Sequence, residues 1–179
     1  MELTRIEPFL SFLKSVRKRT RALAACIPDD RLEWRSTPSQ FSAGDLVRHI
    51  AAAERWMYVE NVLGRPSIYP GHGPELAGDV SACLEYMDRT HEESRRLLAT
   101  LTPEQIRGPC TTVAGAEVPV WLLLRVMLEH EIHHRGQLYT VLGTLGVERP
   151  SLFGLTEADV LAGSEPPPTQ PPGSEDDRR

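Results

Sequence analysis

His130-Glu131-Ile132-His133-His134-Arg135-Gly136-Gln137 lies near the end of a long stretch in which apolar residues recur at helical spacing. In a helix His130 and His134 are four residues apart, so their side chains stand one above the other on one face. Two imidazoles placed in this way can offer nitrogens to a single metal ion at about 2.0–2.1 Å, the distance zinc prefers. The pair falls in line with Leu123, Met127, Val141 and Leu145, a stripe that predicts a buried face. Inward imidazoles need partners, because an unpaired buried polar group costs a few kcal/mol, and a metal satisfies both rings at once. The helix carrying them is expected from about Pro119, suited to a first turn, to Gly146, suited to an end, with Pro150 beyond. At 1.5 Å per residue it is about 40 Å long.

Working outward, three more long amphipathic segments surround this helix. The first is predicted from Glu2 to about Ile27, with Ile6, Phe9, Leu13, Val16 and Leu23 on one face. Lys14, Arg17, Lys18, Arg19 and Arg21 fall mostly opposite and read as a solvated face. Pro28-Asp29-Asp30 ends it, and Trp34 is expected to anchor the following loop to the bundle. Ser42 caps the second helix, with Asp45 at the capping-box position. Its stripe runs through Leu46, Ile50, Ala53, Met57 and Val62 to Gly64, and His49 sits on the flank of that stripe. Residues 65–78 are rich in Pro and Gly and form a loop, in which His72 is expected to be exposed. The third helix spans about Leu76 or Asp79 to Leu101 and holds His91 as a structural residue.

Thr102-Pro103-Glu104-Gln105 opens a short capped turn. A small hairpin is predicted next, pairing Thr111-Thr112-Val113 with Glu117-Val118 about Ala114-Gly115-Ala116. After the fourth long helix, a last short helix begins at Thr156 with Asp159 three residues on. From Ser164 the chain is Pro-rich and acidic, cannot form a core and is expected to be disordered. The fold class predicted is therefore all-α, a four-helix bundle over residues 1–163 followed by a tail over 164–179.

Composition narrows the function. The net charge is −5. The tail carries four acids against two bases, so the body keeps −3 with no basic block, which argues against nucleic acid as a partner. No apolar run approaches the ~18–20 residues of a membrane span, and Met1-Glu2-Leu3-Thr4-Arg5 lacks a signal-peptide pattern. Cys26, Cys83 and Cys110 are odd in number and form no Cys-x-x-Cys pair, so they read as reduced thiols in a cytoplasmic protein.

His49 with His130 and His134 would supply three nitrogen ligands and leave positions open, the arrangement of catalytic metal centres. Without a thiolate or clear carboxylate in the set, zinc, nickel and ferrous iron all suit it. His133, about 100° around from His134, should face a neighbouring helix or solvent. The same stretch also spells the His-Glu-x-x-His of zinc proteases, with Glu131 as general base. The extended form of that motif needs Gly at 137 and His at 140, where the chain has Gln137 and Thr140, so this reading is discounted.

The chain resembles the DinB/YfiT-like superfamily of metal-binding four-helix bundles over nearly its whole length, to about Ala162. The matching residues are Leu32-Glu33-Trp34, Phe41-Ser42-Ala43-Gly44-Asp45-Leu46-Val47-Arg48-His49, and His130 through Leu138, followed by Leu142 and Leu145-Gly146. The resemblance implies metal ligands at His49, His130 and His134. It also implies a metal-dependent enzyme of the low-molecular-weight-thiol S-transferase type, since family members use bacillithiol, and one is a mycothiol-dependent maleylpyruvate isomerase. A metal-dependent hydrolase and a non-enzymatic, stress-linked metal-binding protein are the alternatives. Arg135 and the loop at 65–78 are expected near an anionic thiol, small molecules are the expected substrates, and a homodimer suits such bundles.

Overall fold

The computed structural model describes residues 3–164; the tail expected to be disordered lies, beyond Ser164, outside the described residues. Within them the helical periodicities fold as written. Phe9, Leu13, Val16 and Leu23 are buried along α1 (Ile6–Ala24). A one-turn 3₁₀ segment, Asp29–Arg31, follows. Leu32, 4% exposed, then anchors the loop, its carbonyl accepting from Gly44 N at 2.7 Å. Trp34, assigned that role from the sequence, is only half-buried.

The second long helix starts as predicted. Ser42 Oγ accepts from Asp45 N and the Asp45 carboxylate accepts from Ser42 N, both at 2.9 Å, to open α2 (Ala43–Ala53). It passes without a break through one π turn, Glu54–Tyr58, into α3 (Val59–Val62). A π turn holds more residues than an α turn and shifts the phase of everything after it. The buried stripe therefore skips Met57, which is half-buried, and resumes at Val59 and Val62. Simple 3.6-residue periodicity had placed Met57 on it.

Asp79 caps α4 (Val80–Leu98), and the Thr102–Gln105 capping box opens α5 (Pro103–Arg107). The hairpin's first strand lies earlier than expected, while its second begins at Glu117 as expected. β1 (Pro109–Thr111) pairs antiparallel with β2 (Glu117–Pro119), Cys110 opposite Val118. That register turns Cys110 into the core and gives Thr112–Ala116 to the turn, where Gly115 takes φ +82°. α6 (Val120–Thr144) is the long helix of the histidine motif, and the Thr156–Asp159 capping box opens α7 (Glu157–Gly163). Among the described residues no helix is long and apolar enough to cross a membrane.

α6 packs against both α1 and α2, and α2 against α4, so the four long helical runs enclose one interior. Its apolar residues fall into two clusters. One gathers Leu23, Leu46, Ile50, Met87, Leu138 and Leu142; the other gathers Leu13, Val16, Val59, Leu98, Leu124 and Met127. Buried polar residues separate the two clusters along each of the four long helical runs. Arg17 and Thr20 lie between Val16 and Leu23, and Glu54 between Ala52 and Val59. His91 and Ser94 lie between Met87 and Leu98, and Glu131 between Leu128 and Leu138. The bundle thus has a polar belt across its middle. This places Arg17 inside the protein, 3% exposed, and not on the solvated face expected of it.

Candidate metal centre

The buried face of α6 runs through Leu124, Met127, Glu131, Leu138 and Leu142, while Val141 and Leu145 are only half-buried. His130 and His134 therefore stand beside the stripe instead of on it, turned toward α2. There they meet His49. The Nε2 atoms of His49 and His130 are 3.1 Å apart, as are those of His134 and His130. The three residues form the one group of candidate metal ligands found among the described residues.

The outer nitrogens of two rings are tied. His134 Nδ1 lies 2.7 Å from Gln137 Oε1, an acceptor, so the ring carries its proton on Nδ1 and leaves a lone pair on Nε2. His49 Nδ1 lies 2.7 Å from the hydroxyl of Tyr69, which in turn lies 3.0 Å from His72 Nδ1. Burial, with Tyr86 and Asp45 adding to it, pushes the Tyr69 phenol up to about 12, so it keeps its proton. Arg48 holds the loop that brings these groups in: fully buried, it donates to His72 O at 2.7 Å and Ala77 O at 2.9 Å. Phe41 lies against His72 and His49, with ring centroids 4.7 and 5.4 Å away, and Tyr58 lies 5.3 Å from His130.

These contacts test whether a metal fits. Burial, reinforced by His134 and His130, pushes His49 down to about 3. Burial, with His134 and His133, pushes His130 down to about 4. Burial also lowers His134, against the Gln137 hydrogen bond and with repulsion from His133. All three rings are neutral near pH 7. The single proton that His130 can place on Nε2 cannot lie along both 3.1 Å contacts, and His134 Nε2 has none to offer, so at least one contact is left without a hydrogen bond. A cation at their centre removes that conflict. A divalent metal suits this set of nitrogens, and tied outer nitrogens are what metal-binding histidines usually show.

The remaining motif residues go elsewhere. Glu131, 3% exposed, accepts from Arg17 Nε at 3.1 Å, Arg17 Nη2 at 3.0 Å and Thr20 Oγ1 at 2.6 Å. With its oxygens so engaged it has no role as a general base, in keeping with the discounted protease reading. Arg135 is buried against α1, donating to Val16 O, and is not brought to the three histidines. One step of about 100° from His134 is enough to turn it away. His133 is exposed, its ring 4.9 Å from that of His134. His91 is structural as expected: Nδ1 donates to Glu54 at 3.0 Å. His72, expected to be exposed, is half-buried because Tyr69 and Phe41 hold it. Tyr69 escaped the sequence reading. The available signal was an aromatic residue three positions before His72 in a loop otherwise rich in Pro and Gly.

Residues 13–138 match the family model of the DinB superfamily, and the chain belongs to that superfamily. The uncharacterized protein YjoA of Bacillus subtilis (strain 168) is 30% identical over 140 residues, 76% of this chain and 88% of its own length. The crystal structure of a DinB-like protein from Bacillus subtilis, YjoA, superposes with a TM-score of 0.67 at 26% identity, covering 82% of this chain and 98% of the other. That of a DinB-like protein from Bacillus cereus ATCC 10987 superposes with a TM-score of 0.73 over 83% and 97% of the two chains. At 17% identity the second is a likeness of fold alone.

Proposed function

We propose that this member of the DinB superfamily holds a divalent metal ion on His49, His130 and His134 and acts as a metal-dependent S-transferase of a low-molecular-weight thiol of the bacillithiol kind. The observation that carries the reading is the convergence of three neutral imidazole Nε2 atoms, with the outer nitrogens of two rings already tied by Tyr69 and Gln137. Three protein ligands leave room for an exogenous one, as in catalytic centres. When bound, the metal supplies an acidified thiol or water, an anionic nucleophile near neutral pH.

The chain's own residues do the rest. Gln137 and Tyr69 fix ring orientation, and the protonated Tyr69 hydroxyl links His49 to His72. Phe41 covers the rings of His49 and His72. A cleft of about 310 Å³, lined by Gln40, Phe41, Leu46, His134, Gln137 and Val141, gives space beside the histidines for the body of a small molecule.

The test is elemental analysis of protein purified without a histidine tag, beside His49→Ala, His130→Ala and His134→Ala. Near-stoichiometric metal in the parent, lost in each folded variant, is expected. The metal-loaded protein should then consume bacillithiol in the presence of an electrophilic acceptor such as 1-chloro-2,4-dinitrobenzene, forming the thioether and releasing chloride and a proton. Failure to take up zinc, nickel or ferrous iron would overturn the metal reading. Metal without thiol consumption would overturn the transferase reading and leave a metal-binding protein.

A further inference from the structure

Four arginines among the described residues are buried, and three are ion-paired. Arg17 meets Glu54 and Glu131, Arg48 meets Glu33 and Asp45, and Arg55 meets Glu60 and Glu93. Arg135 differs. It is 4% exposed, has no carboxylate at ion-pair distance among the described residues, and makes one protein hydrogen bond, a 3.3 Å donation to Val16 O. Its guanidinium has five N–H donors, and none of its nitrogens is among the fully buried atoms without a partner, so the free donors open onto accessible space.

Arg135 lines an open cavity of about 630 Å³ between α6 and the segment 149–157, rimmed by exposed Ile132, Phe153 and Leu155. Arg149 lines it too, held by donation to Tyr139 O at 2.9 Å and stacked 4.2 Å from the Tyr139 ring. Arg19 reaches over Phe153, another lining residue, at 5.3 Å. The further walls are Ile132, Tyr139, Leu152 and Leu155, with Glu157 as the single acid of the lining. Burial lowers the pKa of Arg135; Glu131 opposes that, and Arg19 adds to it by repulsion. In a chain of net charge −5, this concentration of cationic side chains around one apolar cavity stands apart. None of the three histidines lines it.

We propose that this cavity is a second ligand site, taking a small organic carboxylate with an apolar body, its head on Arg135 with Arg149 beside it and its body against Ile132, Tyr139, Leu152 and Phe153. A planar guanidinium with free donors matches a carboxylate's two oxygens, and the cavity volume falls in the range of small-molecule sites.

Isothermal titration of the full chain with octanoate, octanamide, acetate and inorganic phosphate tests the site. Octanoate is expected to bind one-to-one, octanamide at least tenfold more weakly, and acetate and phosphate without saturation. Arg135→Gln should weaken octanoate tenfold or more. Because Arg135 is buried, Arg149→Gln and Ile132→Glu, at less buried positions, provide the test if that variant misfolds; each should weaken octanoate at least fivefold with an unchanged circular dichroism spectrum. His130→Ala should bind octanoate as the parent does. Equal binding of octanamide, equal binding of phosphate, or indifference of octanoate binding to Arg149→Gln and Ile132→Glu would each overturn the proposal.

Discussion

His130 and Glu131 are neighbours in the chain and belong to opposite kinds of site. One helical step of about 100° separates them. Glu131 joins the belt, where Arg17 bridges it to Glu54 at 2.7–3.1 Å and His91 completes the cluster. Every carboxylate there is matched by a cation or donor, so the belt is closed to further cations. His130 joins a cluster of three like groups, neutral near pH 7, whose protons cannot satisfy both 3.1 Å contacts at once. The comparison separates scaffold from function. The belt pairs its charges internally, leaving only Arg17 Nη1 and His91 Nε2 without a partner, and the histidines keep their polarity for something else.

The largest expected effect comes from opening the closed cluster. Glu131→Ala takes away two of the three hydrogen bonds that Arg17 makes and the partner of Thr20, leaving Arg17 with Glu54 alone, and should destabilise by about 3 kcal/mol, near the lower end of the usual cost of removing one partner of a buried ion pair. His130→Ala, one residue away, should cost about 1 kcal/mol or less in metal-free protein while abolishing metal binding. Urea denaturation of the two variants checks this. Similar losses of stability would break the distinction.

Next in size is the support of the open cluster. Tyr69→Phe keeps the ring but removes the oxygen bound to His49 Nδ1, and should weaken metal binding by about 10–100-fold with stability nearly unchanged. Competition with a chromogenic chelator measures it.

Acid distinguishes the clusters by where each begins to fail. His49 and His130 have an ordinary value of 6.5 and folded values of about 3 and about 4. Below pH 6.5 the unfolded chain therefore takes up protons that the native, metal-free protein refuses, and stability declines as pH falls from there. Glu54 starts lower. Burial would raise it, but Arg17 and His91 overcome this and hold it below its ordinary 4.5. Its contribution is complete above pH 4.5 and is lost as pH falls further. Urea midpoints against pH should thus show an upper slope that His49→Ala/His130→Ala flattens, above a lower slope that it leaves in place. The smallest effect is expected at exposed His133, where His133→Ala should leave metal content unchanged and stability within about 0.5 kcal/mol.

Features fixed by neighbours in sequence were legible. Ser42 with Asp45, Thr102 with Gln105 and Thr156 with Asp159 are three-residue matches, and each forms a capping box. The i, i+4 histidines are likewise local, and His49 could be joined to them because bundle sites draw on facing helices. The belt was not legible. Arg17 lies among five basic residues, and only the packed positions of Glu54 and Glu131, 37 and 114 residues away, distinguish it from Lys14 or Lys18. Tyr69 and His72 reach the site through a loop positioned by Arg48, a contact with no periodicity to read. Arg135 shared a motif with the ligands without sharing their direction.

The π turn at Glu54–Tyr58 has a consequence for which changes the gene can tolerate. It works as one residue of slack wound into a helix, setting the angle between His49, ahead of the turn, and Tyr58, which closes the turn beside His130. Replacing half-buried Met57 leaves that angle alone. Deleting it would take up the slack and rewind the segment as plain α-helix with Tyr58 and the chain leading to Tyr69 near their present angle, whereas one further residue inserted into the helix ahead of the turn would swing them by about 100°. Around this turn the protein is expected to forgive the loss of one residue far more readily than the gain of one.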